Sequence, residues 1–415
     1  MHINKIAIIG GGASGLMAAL SAARAGADVT LYEHNTSVGK KILASGNGRC
    51  NIINTTVSSD DYAGTNPSFT SYALKQFPFE AFEHFCHSIG LLLDAKDDGR
   101  CYPLSNEAKA VLIALKSAIN DAKVKVFIET KVTAISKKKN LFIVEANGEK
   151  NTYDKVLIAT GSEAAPQLGA TADGYNFALA FGHEILPTYP SLVQLHLNSK
   201  IHHKMAGVKT FAEVTLYIAN KTITKAQGDI LFASYGISGL AILDISQKAS
   251  QALTNHQKVT LSLNLLPRFS PQELNSTLEK LCAHVPNHTI ETVLSTLLPT
   301  KTIPYLLEEA RINPSLLAQK FSKNERQKIT HLIQNWTFEV NDTHGFKHAE
   351  VSGGGVATQH INDKTMESRL VSGLYFAGEV LDIVGRRGGY NFNFAWASGM
   401  IAGNAMTKDT SSNAK

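Results

Sequence analysis

Three glycines near the start of the chain have the spacing of a phosphate-binding turn. Gly10, Gly12 and Gly15 follow the pattern G-x-G-x-x-G. The first glycine of this pattern permits a tight turn, the second lets a pyrophosphate approach the backbone, and the third lets a helix pack closely on a strand. Ala13 and Ser14 would offer free backbone N–H groups at the start of that helix, where negative charge is stabilised. The spacing predicts a pyrophosphate-binding turn.

The residues around these glycines form one strand–helix–strand unit. Residues 5–9 are apolar and β-branched, residues 16–25 are rich in alanine and end before Gly26, and residues 29–32 form a second strand. Such a pattern is typical of a parallel β-α-β unit. Glu33 follows the second strand, where its carboxylate can accept hydrogen bonds from the adenosine ribose and would repel a 2′-phosphate. The unit therefore predicts binding of FAD or NAD.

The C-terminal part of the chain favours FAD. Residues 373–379 indicate a strand that ends in a glycine and an acid, and a helix of small residues is expected at 394–406. In flavoproteins with two dinucleotide folds, such an acid binds the ribityl chain. The helix N-terminus there faces flavin N1 and O2, where charge accumulates on reduction. Residues 153–161 predict a further strand beneath the cofactor. From these segments we expect contacts from Thr160, Gly161, Gly378, Glu379, Gly388, Gly389, Tyr390 and Asn391.

Several blocks together resemble a known family, the aminoacetone-oxidase-like or bile-acid-reductase-like flavoproteins. The most specific block is residues 39–51, with the sequence GKKILASGNGRCN, and residues 236–239 and 365–368 add to it. The resemblance implies an FAD enzyme in which one further group of residues lies along the cofactor. The members of this group are Lys41, Ser45, Gly46, Arg49, Cys50 and Asn51.

The cysteines and the charge exclude several other classes of protein. The four cysteines show no C-x-x-C pair, so we expect neither a disulfide framework nor a metal site, and we interpret Cys50 as packing on the cofactor rather than as a redox group. The formal net charge is only +5, and no basic patch is interleaved with aromatic residues, so nucleic acid is not expected as a partner. No apolar stretch is long enough to span a membrane, and sparse cysteine usage favours the cytoplasm.

The predicted fold class is α/β, with a two-dinucleotide-fold FAD domain interrupted by an insertion. The FAD domain is expected at residues 1–188 and 346–415, with a β-rich insert at 189–269 and a helical insert at 270–345. The glycines at 353–355 are not followed by a helix, and the chain holds no second strand–glycine–helix unit. NADH or NADPH would therefore bind only transiently, as an electron donor.

These observations predict an FAD-dependent oxidoreductase that transfers hydride through flavin N5 to or from a small organic substrate. Tyr390, beside the predicted flavin, is a candidate proton donor, with an aromatic wall as the alternative interpretation. Two other functions remain open at this point: a non-catalytic redox sensor and an FAD-dependent RNA-modifying enzyme. The sequence carries no prediction of oligomeric state.

Overall fold

The computed structural model describes residues 3–408, and its strands range from two to thirteen residues in length. In chain order they are β1 (Lys5–Ile9), β2 (Asp28–Tyr32), β3 (Ile53–Asn54), β4 (Tyr62–Ala63), β5 (Leu93–Ala95), β6 (Arg100–Pro103), β7 (Lys125–Phe127), β8 (Val132–Lys138), β9 (Leu141–Ala146), β10 (Glu149–Tyr153), β11 (Lys155–Ile158), β12 (Ile185–Ser191), β13 (Leu195–Leu197), β14 (Lys209–Ile218), β15 (Lys221–Ala233), β16 (Gly236–Ser238), β17 (Val259–Asn264), β18 (Trp336–Thr343), β19 (Val351–Val356), β20 (Leu374–Phe376) and β21 (Val384–Gly385).

The α-helices connect and cover these strands. They are α1 (Ala13–Arg24), α2 (Lys40–Ala44), α3 (Thr70–Gln76), α4 (Phe79–Ser88), α5 (Ala108–Asp121), α6 (Asp173–Ala180), α7 (Leu240–Thr254), α8 (Pro271–His284), α9 (Ile290–Leu294), α10 (Ile303–Ala310), α11 (Lys323–Gln334) and α12 (Tyr390–Met406). Within the described residues, none of these helices has the length and apolar character needed to cross a membrane.

The described chain divides into two compact units. The first, here called the nucleotide unit, comprises the chain up to Tyr189 and from Glu350 onward, and the second, here called the barrel unit, is Pro190–Ala349. Each unit has its own cluster of buried apolar side chains.

A five-stranded parallel sheet forms the centre of the nucleotide unit. Its strand order is β20-β11-β1-β2-β7, and each neighbouring pair is parallel. The middle strands are buried on both faces, as their continuous apolar sequences require. The sheet therefore brings β20, from the far C-terminal part of the chain, beside strands from its first half.

Helices α1 and α12 pack together through small residues. A Cβ atom on Gly399 would lie 2.4 Å from the carbonyl oxygen of Ser14, and one on Gly403 would lie 2.5 Å from that of Ala18. Because both obstacles are backbone atoms that cannot rotate away, only glycine allows this approach. The small residues predicted for the last helix thus hold it against the helix that follows the glycine turn.

The barrel unit is built around a closed barrel with strand order β13-β16-β15-β14-β17-β18. The sequence predicts a β-rich insert at 189–269 and a separate helical insert at 270–345. The structure differs, because the long helix α7 lies in the first segment, and β18, in the second, closes the barrel by pairing with β13 and β17. The two segments share one core, since the helices bury apolar faces against the same strands.

Candidate functional site

The predicted cofactor residues follow four neighbouring strands of the parallel sheet. Gly10 comes directly after β1, Glu33 after β2, Thr160 two residues after β11, and Gly378 two residues after β20. Because the strands are parallel and adjacent, their carboxyl ends share one edge of the sheet. Ligands of open α/β sheets bind in the crevice at this edge. The structure therefore brings together residues that are up to 368 positions apart in the sequence.

The three glycines of the turn have three different environments. Gly10 has a φ of 108°, and a Cβ atom there would lie 2.4 Å from the carbonyl oxygen of Ala159. A Cβ atom on Gly15 would lie 1.9 Å from the carbonyl oxygen of Gly10. Gly12, by contrast, has no heavy atom of the described chain within 4 Å of its Cβ position. Two glycines thus permit close packing of the protein itself, while the third leaves open space for a ligand.

The start of α1 leaves backbone donors available beside that space. Gly12 is the N-cap residue and provides no side-chain cap. Ala13 and Ser14 form the first turn, whose N–H groups have no acceptor within the helix. The Ser14 hydroxyl donates to the carbonyl oxygen of Ala377 at 3.3 Å, so it ties α1 to the end of β20. This arrangement fits a pyrophosphate in both space and charge.

Glu33 is buried beside the glycine turn. Its Oε2 accepts a hydrogen bond from the backbone N–H of Gly11 at 2.9 Å. Its Oε1 accepts from the backbone and side-chain nitrogens of Asn35, at 2.8 and 2.7 Å. Two of these three donors are backbone N–H groups, so the carboxylate is held in one place. Asn35, which the sequence did not predict at the site, therefore positions Glu33.

Glu379 connects three other segments at the same edge of the sheet. Its Oε2 lies 2.8 Å from the Lys41 Nζ, which the sequence also predicted at the cofactor. Its Oε1 accepts hydrogen bonds from the Ser162 hydroxyl at 2.7 Å and from the backbone N–H of Ser352 at 2.9 Å. Ser162 and Ser352 were not predicted, although Ser162 directly follows the Thr160–Gly161 pair, and that position was the available signal.

The specific block at residues 39–51 forms a short helix and an irregular turn. The Ser45 hydroxyl donates to the carbonyl oxygen of Ile42 at 2.8 Å, and Gly46 has a φ of 57°. The exposed guanidinium of Arg49 lies 5.3 Å from the centre of the Tyr102 ring. The Asn51 side chain accepts from the backbone of Cys101 at 3.3 Å. Within this block Arg49 is the exposed cation and is suited to bind a phosphate.

The cysteines of the nucleotide unit are buried and free. Burial raises the pKa of Cys50 to about 12 and that of Cys101 to about 11. Burial also raises the pKa of Cys86, which lies close enough to both to be affected by them. Thiols with such values stay protonated at neutral pH and are poor nucleophiles. The environment of Cys50 favours packing over redox chemistry.

Glycines and asparagines shape the turn before α12. Gly388 and Gly389 have φ values of 127° and 99°, which other residues rarely adopt. The Asn54 side chain donates to the carbonyl oxygen of Gly388 at 2.9 Å. The Asn391 side chain accepts from the backbone N–H of Gly385 at 2.8 Å and donates to its carbonyl oxygen at 2.9 Å. The Asn391 side chain therefore bridges the loop from residue 385 to residue 391, and these bonds fix the position of the N-terminus of α12.

Tyr390 begins α12 with a buried ring. The Tyr62 hydroxyl donates to its carbonyl oxygen at 2.8 Å. The guanidinium of Arg386 lies 5.1 Å from the centre of the Tyr390 ring and is also paired with Asp61. A ring packed beneath a guanidinium in this way favours the aromatic-wall interpretation over that of a proton donor.

The barrel unit contains a cluster of rings from residues that lie far apart in the sequence. The His196 Nε2 lies 2.8 Å from the His344 Nδ1, so the two imidazoles are hydrogen-bonded. The ring of His344 stacks on Tyr235 at 3.9 Å and on His348 at 4.0 Å. Burial and the two neighbouring histidines lower the pKa of His344. Such a pair can pass a proton between its rings, but no sequence motif relates residues 148 positions apart.

The fold and the site together define a dinucleotide-binding protein of the Rossmann-type flavoprotein class. The model of the family described as HI0933-like protein Rossmann domain matches residues 4–405. The chain is 34% identical over 408 residues to the 3-dehydro-bile acid delta(4,6)-reductase of Clostridium scindens, covering 98% of this chain and 100% of that protein. The chain belongs to the HI0933-like family, which confirms the predicted fold class and the prediction of an FAD-dependent oxidoreductase.

A further relative and one solved structure extend this comparison. The ribosomal RNA dihydrouridine synthase of Haemophilus influenzae is 32% identical over 400 residues, covering 94% of this chain and 95% of that protein. The 3-ketosteroid delta1-dehydrogenase from Sterolibacterium denitrificans has a similar fold, with a TM-score of 0.51 at 13% identity, over 97% of this chain and 99% of that chain. The likeness to the solved structure concerns the fold alone.

Proposed function

We propose that this protein binds FAD at the carboxyl edge of its parallel sheet and reduces a carbon–carbon double bond conjugated with a carbonyl group. The observation that carries the proposal is the convergence of Gly12, Glu33, Ser162 and Glu379 on that edge. When bound, FAD supplies hydride transfer through its N5 position.

The residues at the edge fit the parts of this cofactor in order. Open space at Gly12 and the free N–H groups of α1 suit the pyrophosphate, and the buried carboxylate of Glu33 suits the adenosine ribose. Glu379 would hold the ribityl chain while it stays paired with Lys41. The N-terminus of α12 would stabilise negative charge on the reduced ring. The same proposal includes the other contacts that the sequence predicts, which are Ser45, Gly46, Arg49, Cys50, Asn51, Thr160, Gly161, Gly388, Gly389, Tyr390 and Asn391.

The reaction class is supported by the names of the two relatives. One is named a delta(4,6)-reductase and the other a dihydrouridine synthase, and both names describe the addition of hydrogen to a carbon–carbon double bond. Polarisation by a neighbouring carbonyl group makes such a double bond an acceptor for hydride. We propose a small conjugated carbonyl compound as the substrate, with NADH or NADPH as a transient electron donor.

A second candidate substrate is uridine in RNA, because one relative is named for ribosomal RNA. The net charge of +5 is small for a protein that binds RNA through its phosphates. If RNA is the substrate, turnover should fall steeply with salt concentration, whereas reduction of a small neutral substrate should change little.

One anaerobic series tests the proposal. Purified protein loaded with FAD is mixed with NADH and then with NADPH, and loss of the flavin absorption band is followed by stopped flow. The reduced protein is then given conjugated ketones, saturated ketones as matched controls, or ribosomal RNA without dihydrouridine. We expect reoxidation by the conjugated ketones and not by the saturated ones. Protein that takes up no FAD, or reduced protein that only oxygen reoxidises, would contradict the proposal.

A further inference from the structure

Three strand ends of the barrel unit meet at one cluster of rings. His196 lies in β13, Tyr235 directly precedes β16, and His344 directly follows β18. Strand β13 pairs with both β16 and β18, but it has only three residues, and its register with β18 shifts after His196. Few backbone bonds therefore close the barrel at this point, so the side-chain contacts there contribute to the closure.

Two imidazoles bridge the seam between β13 and β18. The His196 Nε2 lies 2.8 Å from the His344 Nδ1. One ring donates and the other accepts, whichever tautomer is present. A neutral pair meets this requirement, and so does a pair that carries one extra proton. Two imidazolium rings offer only donors, so the bond is lost when both rings are protonated.

The surroundings of His344 oppose the second proton. Its ring stacks on Tyr235 and on His348. Burial, followed by the charges of His348 and His196, lowers the pKa of His344, so this ring is neutral at pH 7. Burial raises the pKa of Tyr235, which therefore stays uncharged as the pH falls.

The other charged groups on these segments do not offset this effect. Asp342, whose Cα is the ladder partner of His196, is exposed and accepts from the next backbone N–H at 2.7 Å. Glu339 and Lys347 are exposed as well. None of the three contributes to the shift in the pKa of His344, and neither does any other carboxylate of the described residues. Because the unfolded chain takes up this proton more readily than the folded chain does, acid weakens the seam.

We propose that His196 and His344 form a pH-sensitive latch of the barrel, which holds β13 to β18 at neutral pH and releases it when both rings carry a proton. The opening stays local, because β14 is paired with β15 along its whole length and the helices bury the same core. Both halves of the latch belong to the barrel unit, so it does not depend on the proposed binding of FAD.

Hydrogen exchange followed by mass spectrometry tests the latch in the whole protein. The wild type, His344→Phe and the control His256→Gln are compared at about pH 7.5 and about pH 4.5, in peptides that cover the seam. Phenylalanine at position 344 keeps a ring for stacking but cannot form the hydrogen bond. His256 is an exposed histidine of the same unit, outside the cluster. Comparing the proteins at one pH cancels the pH dependence of exchange itself.

At the higher pH we expect the seam peptides of His344→Phe to exchange about two- to tenfold faster than those of the wild type, the value of one ordinary hydrogen bond. At the lower pH the two proteins should agree within about twofold, because the wild type has lost the bond as well. His256→Gln should match the wild type at both pH values.

Other patterns would overturn the latch. An equal ratio of exchange rates at both pH values would mean that the bond does not respond to protons, and no difference at either pH would mean that it does not hold the seam. An effect of His256→Gln as large as that of His344→Phe would remove the link to this pair. If His344→Phe does not fold, the wild type decides: protection of the seam relative to β14 and β15 should fall at the lower pH, and unchanged protection would refute the latch.

Discussion

Gly12 offers the sharpest test of where the cofactor lies. Of the three glycines of the turn, it is the one at which the packing of the protein leaves room for a side chain. In the substitution Gly12→Ala, the new methyl group meets no described atom within 4 Å. The backbone has φ −80° and ψ −169°, an extended conformation that alanine adopts freely. Alanine is a poorer N-cap than glycine by roughly 0.5–1 kcal/mol, and it reduces the entropy of the unfolded chain by a comparable ~0.4–1 kcal/mol. The free energy of unfolding of the apoprotein should therefore stay within about 1 kcal/mol of the wild type.

The effect on FAD should be much larger. A pyrophosphate that approaches the backbone at Gly12 would overlap the added methyl group. Forcing a methyl group into well-packed space costs about 1–3 kcal/mol, which corresponds to a Kd raised roughly 5- to 150-fold. The assay is fluorescence titration of the apoprotein with FAD, together with chemical denaturation of the apoprotein to show that stability is unchanged.

Gly15→Ala is the structural control. Its Cβ atom would lie 1.9 Å from the carbonyl oxygen of Gly10, and a backbone atom cannot move aside without separating helix from strand. We expect this variant to be destabilised or insoluble even without FAD. If Gly12→Ala folds normally and binds FAD with the wild-type Kd, the pyrophosphate does not pass this glycine, and the proposed position of the cofactor is wrong.

Three further predictions concern the packing, the acid and the pH dependence. Gly399→Val should abolish cooperative unfolding as followed by circular dichroism, because the new side chain would meet the Ser14 carbonyl oxygen. The control variant Asn404→Ala, on the exposed side of the same helix, should still unfold cooperatively. Glu379→Gln should raise the Kd for FAD about three- to tenfold in the same titration, because a charged acceptor is lost; an unchanged Kd would place the ribityl chain elsewhere. Burial, and secondly His360, lowers the pKa of His183 to about 4. Between pH 6.5 and 4 the unfolded chain therefore binds a proton at His183 that the folded chain does not. The free energy of unfolding should fall by roughly 3 kcal/mol over this pH range. In the variant His183→Gln this part of the pH dependence should be absent.

Much of the nucleotide unit could be predicted because its signals are local. The helix expected at 16–25 is observed at Ala13–Arg24, and the strand expected at 29–32 at Asp28–Tyr32. The final helix was expected from 394 and begins at Tyr390, because the positive φ of Gly389 fixes the helix start at that point. Turn chemistry and apolar periodicity act over a few residues, so one sequence is enough to find them.

The barrel unit was harder to predict because its strands are paired across long distances. Strand β18 closes the barrel between β13 and β17, yet it follows a run of helices in the sequence. Its alternating burial is a strand signal, but nothing within a few residues identifies its partners. The hydrogen bond between His196 and His344 depends on that closure, so the cluster of rings could not be predicted either.

The sequence alone determined the glycine turn and the acids that follow two strands, because each depends on residue type and on spacing within one short segment. FAD was predicted from several such segments taken together. Only the tertiary structure decided which segments meet. It paired Glu379 with Lys41 and Ser162. The physical reason is that a parallel sheet aligns the ends of strands whatever their distance in the chain, and only the packing of the whole core fixes the strand order.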